Sequence, residues 1–155
     1  MINHKIVILG LGNPLFQDEG LGIHMINRLM QGQMNEAIEL VDGGTGGMDL
    51  LNVVEDTDLL LVIDAVDGDY PPGTVCKLSG RDIPMLVSGR MSAHQISFQE
   101  TLALAGLRGK LPGQMVLLGV QPQSMDWGTE LSPPVAAILS ELDAMINEQI
   151  GIWMT

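Results

Sequence analysis

Three residues of this chain have types and positions that could hold a divalent transition metal: Glu19, Asp64 and His94. Two carboxylates and one imidazole form a donor set that suits such an ion. Asp64 directly follows the aliphatic run Leu59 to Ile63, and a carboxylate at the end of a buried strand needs a partner to offset its desolvation. His94 falls in the first turn of an expected helix. There the positive end of the helix dipole disfavours imidazolium and leaves the neutral ring that binds metal. Glu19 opens a segment with helical periodicity, Asp18 to Met30. At about 100° per residue, His24, Asn27, Arg28 and Gln31 share a polar face, while Leu21, Met25, Ile26, Leu29 and Met30 cover the rest. If the helix already includes Glu19, its carboxylate projects within the apolar arc, toward the core. Structural roles stay open for the same three residues. Asp64 could cap a loop, His94 could be an exposed first-turn residue, and Glu19 could be a favourable charge at a helix N-terminus.

Other reactive types carry blander readings. His24 lies on the polar helix face and His4 near the N-terminus, both positions for a solvated ring. Cys76, the single cysteine, sits in the alternating strand-like run Thr74 to Leu78 and reads as a small strand residue. The glycine-rich stretch Asp42-Gly43-Gly44-Thr45-Gly46-Gly47 is read in two ways. It could let backbone amides approach a ligand closely, or it is a tight strand-to-helix turn.

The elements that position these residues alternate in type. Lys5 to Leu11 is an aliphatic run that reads as a buried first strand, and Ala37 to Val41 is a short second one. Met48 to Val54 is a short helix. Leu59 to Ile63 suits a central strand covered on both faces. Tyr70-Pro71-Pro72-Gly73 is a turn leading to an edge strand, Thr74 to Leu78. Ser92-Ala93-His94-Gln95 has the form of a capping box and opens a helix to about Ala105. Gln114 to Val120 is a further strand. Ser132-Pro133-Pro134 starts the last helix, with proline at the first helical position and Val135, Ile138, Leu139, Leu142, Met145 and Ile146 on its apolar face. Alternating strands and helices predict one α/β domain spanning the chain: a three-layer sandwich whose largely parallel twisted sheet of about five strands has helices on both faces. In such sheets the working crevice lies beyond the carboxyl ends of the strands.

Composition removes several function classes. The formal net charge of −12 repels phosphate backbones, so nucleic acid is not an expected partner. No apolar run approaches the ~20 residues that span a bilayer, and no membrane association is expected. One cysteine allows no internal disulfide, and no signal-peptide pattern precedes the first strand, which predicts a cytoplasmic protein. The eleven methionines are scattered and read as core filler beside only two Trp, two Phe and one Tyr. No surplus apolar face is evident, so a monomer is expected. Gly10-Leu11-Gly12-Asn13-Pro14-Leu15 lacks the third glycine of a dinucleotide fingerprint. There is no His-Glu-x-x-His pair, no Walker-type lysine and no Gly-x-Ser-x-Gly elbow.

The ordered set of short motifs resembles one family. Gly10-Leu11-Gly12-Asn13 followed by Asp18-Glu19-Gly20-Leu21-Gly22 is similar to the opening motif of the hydrogenase maturation endopeptidases. Asp42-Gly43-Gly44-Thr45, Asp64-Ala65 and Met91-Ser92-Ala93-His94-Gln95 resemble their second, third and fourth motifs. Leu118-Gly119-Val120-Gln121-Pro122 and Leu131-Ser132-Pro133 fit later segments. The resemblance covers essentially the whole chain, and each motif alone is weak. It implies a metal-dependent endopeptidase that removes a C-terminal extension from the precursor of the nickel–iron hydrogenase large subunit after nickel insertion. It implies that Glu19, Asp64 and His94 contact the precursor's nickel and carry the catalysis, with Glu19 or Asp64 available as general base. Asp42, Gly43, Gly44 and Thr45 would then face the substrate tail. Nickel bound weakly or not at all without the precursor is the matching expectation. Two other readings exist. One is a nickel-sensing chaperone that holds the precursor without cutting it. The other, from the Gly10 to Pro14 segment alone, is a peptidyl-tRNA hydrolase, which the acidic charge and the continuation Leu15-Phe16-Gln17-Asp18-Glu19 oppose.

Overall fold

The computed structural model describes residues 4–80, 83 and 93–155. Strand β1 (Ile6–Leu11) runs into a loop and a 3₁₀ turn (Gln17–Gly20), which leads directly into α1 (Leu21–Gln31). Then follow β2 (Ile38–Gly44), a second 3₁₀ turn (Met48–Leu50) continuing as α2 (Leu51–Glu55), and β3 (Leu59–Ala65). Next come β4 (Val75–Ser79), α3 (Ala93–Leu107), β5 (Gln114–Val120), α4 (Pro133–Ala136) and α5 (Leu139–Trp153). The five strands form one sheet in the order β2-β1-β3-β5-β4. All neighbours are parallel except β4, which runs antiparallel along the edge beside β5. The predicted α/β sandwich with a largely parallel five-stranded sheet is therefore the fold.

Strand periodicity sorts the core into two layers, because successive side chains point to opposite faces. Ile6 and Ile8 of β1 and Leu59, Leu61 and Ile63 of β3 pack with α1, Val135 of α4 and α5. Val7, Leu9 and Leu11 of β1 and Leu60 and Val62 of β3 pack with α2 and α3. Full burial of each Leu, Ile or Met side chain contributes about 1.5–3 kcal/mol, so the wholly buried β1 and β3 anchor both layers. On the first face α1 approaches very closely at Gly22. A methyl group there would run into the carbonyl oxygens of Leu11 and Ile63, so only glycine lets this helix sit against the carboxyl ends of the two central strands.

Several boundaries differ from the sequence reading. Asp64 and Ala65 are part of β3, paired with Gly119 and Val120, rather than residues beyond it. Asp42, Gly43 and Gly44 belong to β2, since Gly10 and Leu11 supply a strand edge for them to pair with across a bulge. The segment from Asp18 is not yet α-helical: Asp18 and Glu19 lie in the 3₁₀ turn, and the α-helix starts at Leu21. Met30, assigned to the apolar arc, is 55% exposed, because it falls on the same side as Asn27 and at the free end of α1. The last helix is split. Ile138 N–H turns to the Val135 carbonyl at 3.2 Å, a tighter bond that separates α4 from α5. The expected cap residue Ser92, with Met91 of the same motif and Met1 to Asn3 at the N-terminus, lies outside the described residues.

Candidate functional site

Three elements deliver the three residues to the carboxyl end of the sheet. Asp64 continues the even-numbered face of β3 after Leu60 and Val62, so the strand's alternation aims it at the layer containing α3. His94, the second residue of α3, meets it there: Nε2 lies 3.1 Å from Oδ2 and 3.3 Å from Oδ1 of Asp64. Glu19 arrives from the 3₁₀ turn, with Oε1 at 3.2 Å from His94 Nδ1. The imidazole is thus clasped between two carboxylates, one on each ring nitrogen. Its side chain is 3% exposed, that of Asp64 4% and that of Glu19 17%. The exposed first-turn reading of His94 is thereby overturned, and so is a simple loop-capping role for Asp64.

This arrangement reverses the charge expectation for the ring. Burial works against the imidazolium. The hydrogen bond to Asp64, the charge of Asp64, and the charge and hydrogen bond of Glu19 together outweigh that burial and hold the His94 pKa above the ordinary imidazole value. The helix-dipole argument lost because two full charges in contact exceed a partial charge at one helix end. A neutral imidazole has one N–H, so a carboxylate at each ring nitrogen suits a ring that carries a proton on both.

The surroundings hold each member in place. Asp64 Oδ1 accepts the N–H of Ala65 at 2.8 Å. The Gln95 amide donates to Asp64 Oδ2 at 3.1 Å and to the Ala65 carbonyl at 2.8 Å. Gly12, at φ 125°, passes so close that a methyl group would collide with the Glu19 carbonyl and lie 3.7 Å from Asp64 Oδ1. Gly12 N–H donates to the Gly44 carbonyl at 2.8 Å, which ties the β2 end to the site. Asp42, exposed, accepts the Gly44 N–H at 3.0 Å and so stabilises its own turn. Gly43 is buried, Gly44 has φ 51°, and Thr45 is exposed. This segment flanks the triad through Gly12.

Sequence reasoning missed the residue that fixes Glu19. Asp18 is fully buried. Its Oδ2 accepts Gln123 N–H at 2.8 Å, Ser124 N–H at 3.0 Å and the Ser132 hydroxyl at 2.6 Å, and its Oδ1 accepts Ser132 N–H at 2.8 Å. Four donors from the segment after β5 therefore pin the turn that carries Glu19. Gln121 does similar work after β3: Oε1 accepts Gly68 N–H at 2.7 Å and Tyr70 N–H at 3.2 Å, while Nε2 donates to Asp67 at 3.0 Å. Both residues stand in the motifs quoted above, but nothing local reveals what they hold, because their partners are distant in sequence.

Two carboxylates and an imidazole are chemically suited to a borderline divalent ion. In this structure they pair around the ring rather than converge on a point. Among the described residues, no group of three or more His, Cys, Asp and Glu side chains is arranged to hold a metal ion. Taking a metal onto the ring means that one ring nitrogen gives up its carboxylate. Among the described residues no helix is long and apolar enough to cross a membrane.

Comparison with known proteins places these features in context. A family model described as hydrogenase maturation protease matches residues 23–149, a span that includes Asp64 and His94, with Glu19 just before it. The chain is 38% identical over 152 residues to the hydrogenase expression/formation protein HupD of Rhodobacter capsulatus, covering 96% of this chain and 72% of that protein. It is 34% identical to the hydrogenase 2 maturation protease of Escherichia coli, covering 87% and 84% of the two. The solved structure of the hydrogenase maturating endopeptidase HybD from E. coli superposes with a TM-score of 0.85 at 31% identity, covering 94% of this chain and 93% of that one.

Proposed function

The chain belongs to the hydrogenase maturation protease family, and from that premise we propose that it removes the C-terminal extension of a nickel-loaded hydrogenase large-subunit precursor. The observation that carries this reading is the buried imidazole held between Glu19 and Asp64 at the carboxyl end of the sheet. Endopeptidase chemistry breaks one C–N bond, adds water across it, and needs a base for the water and a proton for the departing amine. Glu19, the most accessible of the three, meets the incoming precursor first. Asp64, held by Ala65 N–H and Gln95, is the fixed acceptor that orients His94. The two carboxylates hold the His94 pKa above the ordinary imidazole value, and a doubly protonated ring would be a proton source beside both of them.

Nickel enters this account as part of the substrate. The donor types of Glu19, Asp64 and His94 fit it, and its contact with them would register the scissile peptide at the site. A bound divalent ion polarises a carbonyl or lowers the pKa of a water. Asp42, Gly43, Gly44 and Thr45 are the proposed contacts for the precursor tail. A monomer acting in the cytoplasm without nucleic acid completes the reading.

The test is mass spectrometry of nickel-loaded precursor incubated with wild type or with Glu19→Ala. Loss of a C-terminal peptide with the wild type alone supports the proposal. A nickel-requiring complex without cleavage would replace it with a chaperone.

A further inference from the structure

The turn that carries Glu19 also presents an apolar surface that the fold does not use. Leu15 is 51% exposed, Met125 38% and Trp127 76%. Scattered exposed apolar residues are ordinary, but these are built into a rigid double loop. The rings of Phe16 and Trp127 pack against each other, centroids 4.5 Å apart and planes tilted by 38°. Gln17 N–H donates to the Gly128 carbonyl at 2.8 Å, Gly128 N–H to the Leu15 carbonyl at 2.9 Å, and Asp18 N–H to the Ser124 carbonyl at 3.0 Å. Gln17 holds φ 47°, a left-handed conformation disfavoured for a residue with a side chain. Gly128, at φ 154°, leaves room for the Gln17 side chain, since a methyl group there would lie 2.9 Å from its Cγ. Strain of this kind persists only where surrounding structure enforces it. Here it holds the exposed Trp127 against the partly buried Phe16.

That display is continuous with the candidate active site. Glu19 N–H donates to the Phe16 carbonyl at 3.1 Å, and the buried Asp18 between them accepts from Gln123, Ser124 and Ser132 of the second loop. Phe16 and Glu19 thus belong to one hydrogen-bonded turn, which places the aromatic pair's loop next to a member of the triad. Neither residues 10–20 nor residues 121–134 contain Lys or Arg, whereas Asp126 and Glu130 are exposed on the second loop. The surface is therefore apolar at its centre and acidic at its rim, which fits a partner surface that is apolar and flanked by basic residues.

We propose that Leu15, Phe16, Met125 and Trp127 form the docking surface for the hydrogenase large-subunit precursor, engaging an apolar, basic-flanked patch of it next to the scissile segment. This rests on the processing reading given above. An exposed tryptophan that becomes enclosed at an interface is a typical energetic centre. The expectation is that Trp127→Ala raises KM for nickel-loaded precursor about 30-fold, with kcat within about twofold of wild type and Trp127→Phe recovering most of the loss. Raised salt should weaken wild-type binding through the acidic rim. Leu15→Ser reads the same surface should Trp127→Ala fail to fold. An unchanged KM in Trp127→Ala and Leu15→Ser, with cleavage proceeding, overturns the docking surface and leaves the processing reading standing. A fall in kcat at unchanged KM also overturns it, assigning the loops to the positioning of Glu19. Dimeric wild type and monomeric Trp127→Ala with equal KM would give the patch to a second copy of this chain instead. If wild type neither binds nor cuts the precursor, the processing reading itself fails and the docking surface with it.

Discussion

Replacing Asp18 by Asn tests how the turn that carries Glu19 is held. The carboxylate receives four hydrogen bonds at a fully buried position: three on Oδ2 and one on Oδ1. Asn is nearly isosteric and keeps one carbonyl oxygen. Its best orientation puts that oxygen where Oδ2 was and preserves the bonds from Gln123, Ser124 and the Ser132 hydroxyl. The amide NH₂ then faces Ser132 N–H, so one donor is left unsatisfied in the interior. Such a group costs about 1–3 kcal/mol, and 2 kcal/mol in a chain of this size lowers Tm by about 4–8 °C. Asp18→Ala removes all four bonds and should cost about 4–6 kcal/mol at roughly 1–1.5 each, a large part of the usual stability of a domain. Urea and thermal unfolding followed by circular dichroism give both numbers. Cleavage by Asp18→Asn should fall as well, because the same turn sets the position of Glu19. A Tm for Asp18→Asn within about 1 °C of wild type would refute the reasoning, since the bonds to Asp18 would then contribute little.

Other consequences follow from the same geometry. His94→Ala should reduce cleavage by about two to four orders of magnitude with the far-ultraviolet spectrum retained; full processing would remove His94 from the site. The stability that His94 contributes has a defined pH dependence. Its folded pKa is raised, so the contribution is complete below the unfolded value of 6.5 and is lost as pH rises through the folded value. The difference in unfolding free energy between wild type and His94→Gln should therefore shrink as pH is raised, and a difference that grows with pH would contradict the clasp between two carboxylates. Gly22→Ala should destabilise by about 1–3 kcal/mol through overpacking against the Leu11 and Ile63 carbonyls, read by urea titration. Gln95→Ala removes one hydrogen bond from Asp64 and one from the Ala65 carbonyl. It should lower kcat more than it raises KM, in steady-state cleavage assays.

The sequence made the sheet legible because its central strands are continuous aliphatic runs whose burial leaves no other arrangement. β5 lies where the sequence reading puts it, and β1 and β3 differ only at their ends. Glu19, Asp64 and His94 were legible as a set because each is a polar residue where a crevice forms beyond parallel strands. The way they meet was not legible. The ring sits between the carboxylates only because Asp64 extends β3 by the even-numbered parity and Glu19 occupies a 3₁₀ turn, a distinction that periodicity cannot make. Asp18 read only as the first residue of a helical segment, yet its partners lie more than a hundred residues away. The left-handed Gln17 carries no sequence cue, and with it the contact of the partly buried Phe16 with the exposed Trp127 was missed in favour of a surface without apolar surplus. The break between α4 and α5 was hidden because Val135, Ile138, Leu139 and Leu142 suit a continuous helix equally well.

The central claim is that Glu19, Asp64 and His94 read the precursor's nickel before the chain is cut. Its most direct test is to incubate the wild-type protein with matched nickel-loaded and nickel-free precursor and to follow the C-terminal peptide by mass spectrometry. The account predicts release from the loaded precursor alone. Equal release from both would contradict it and leave the triad as a metal-independent acid–base site.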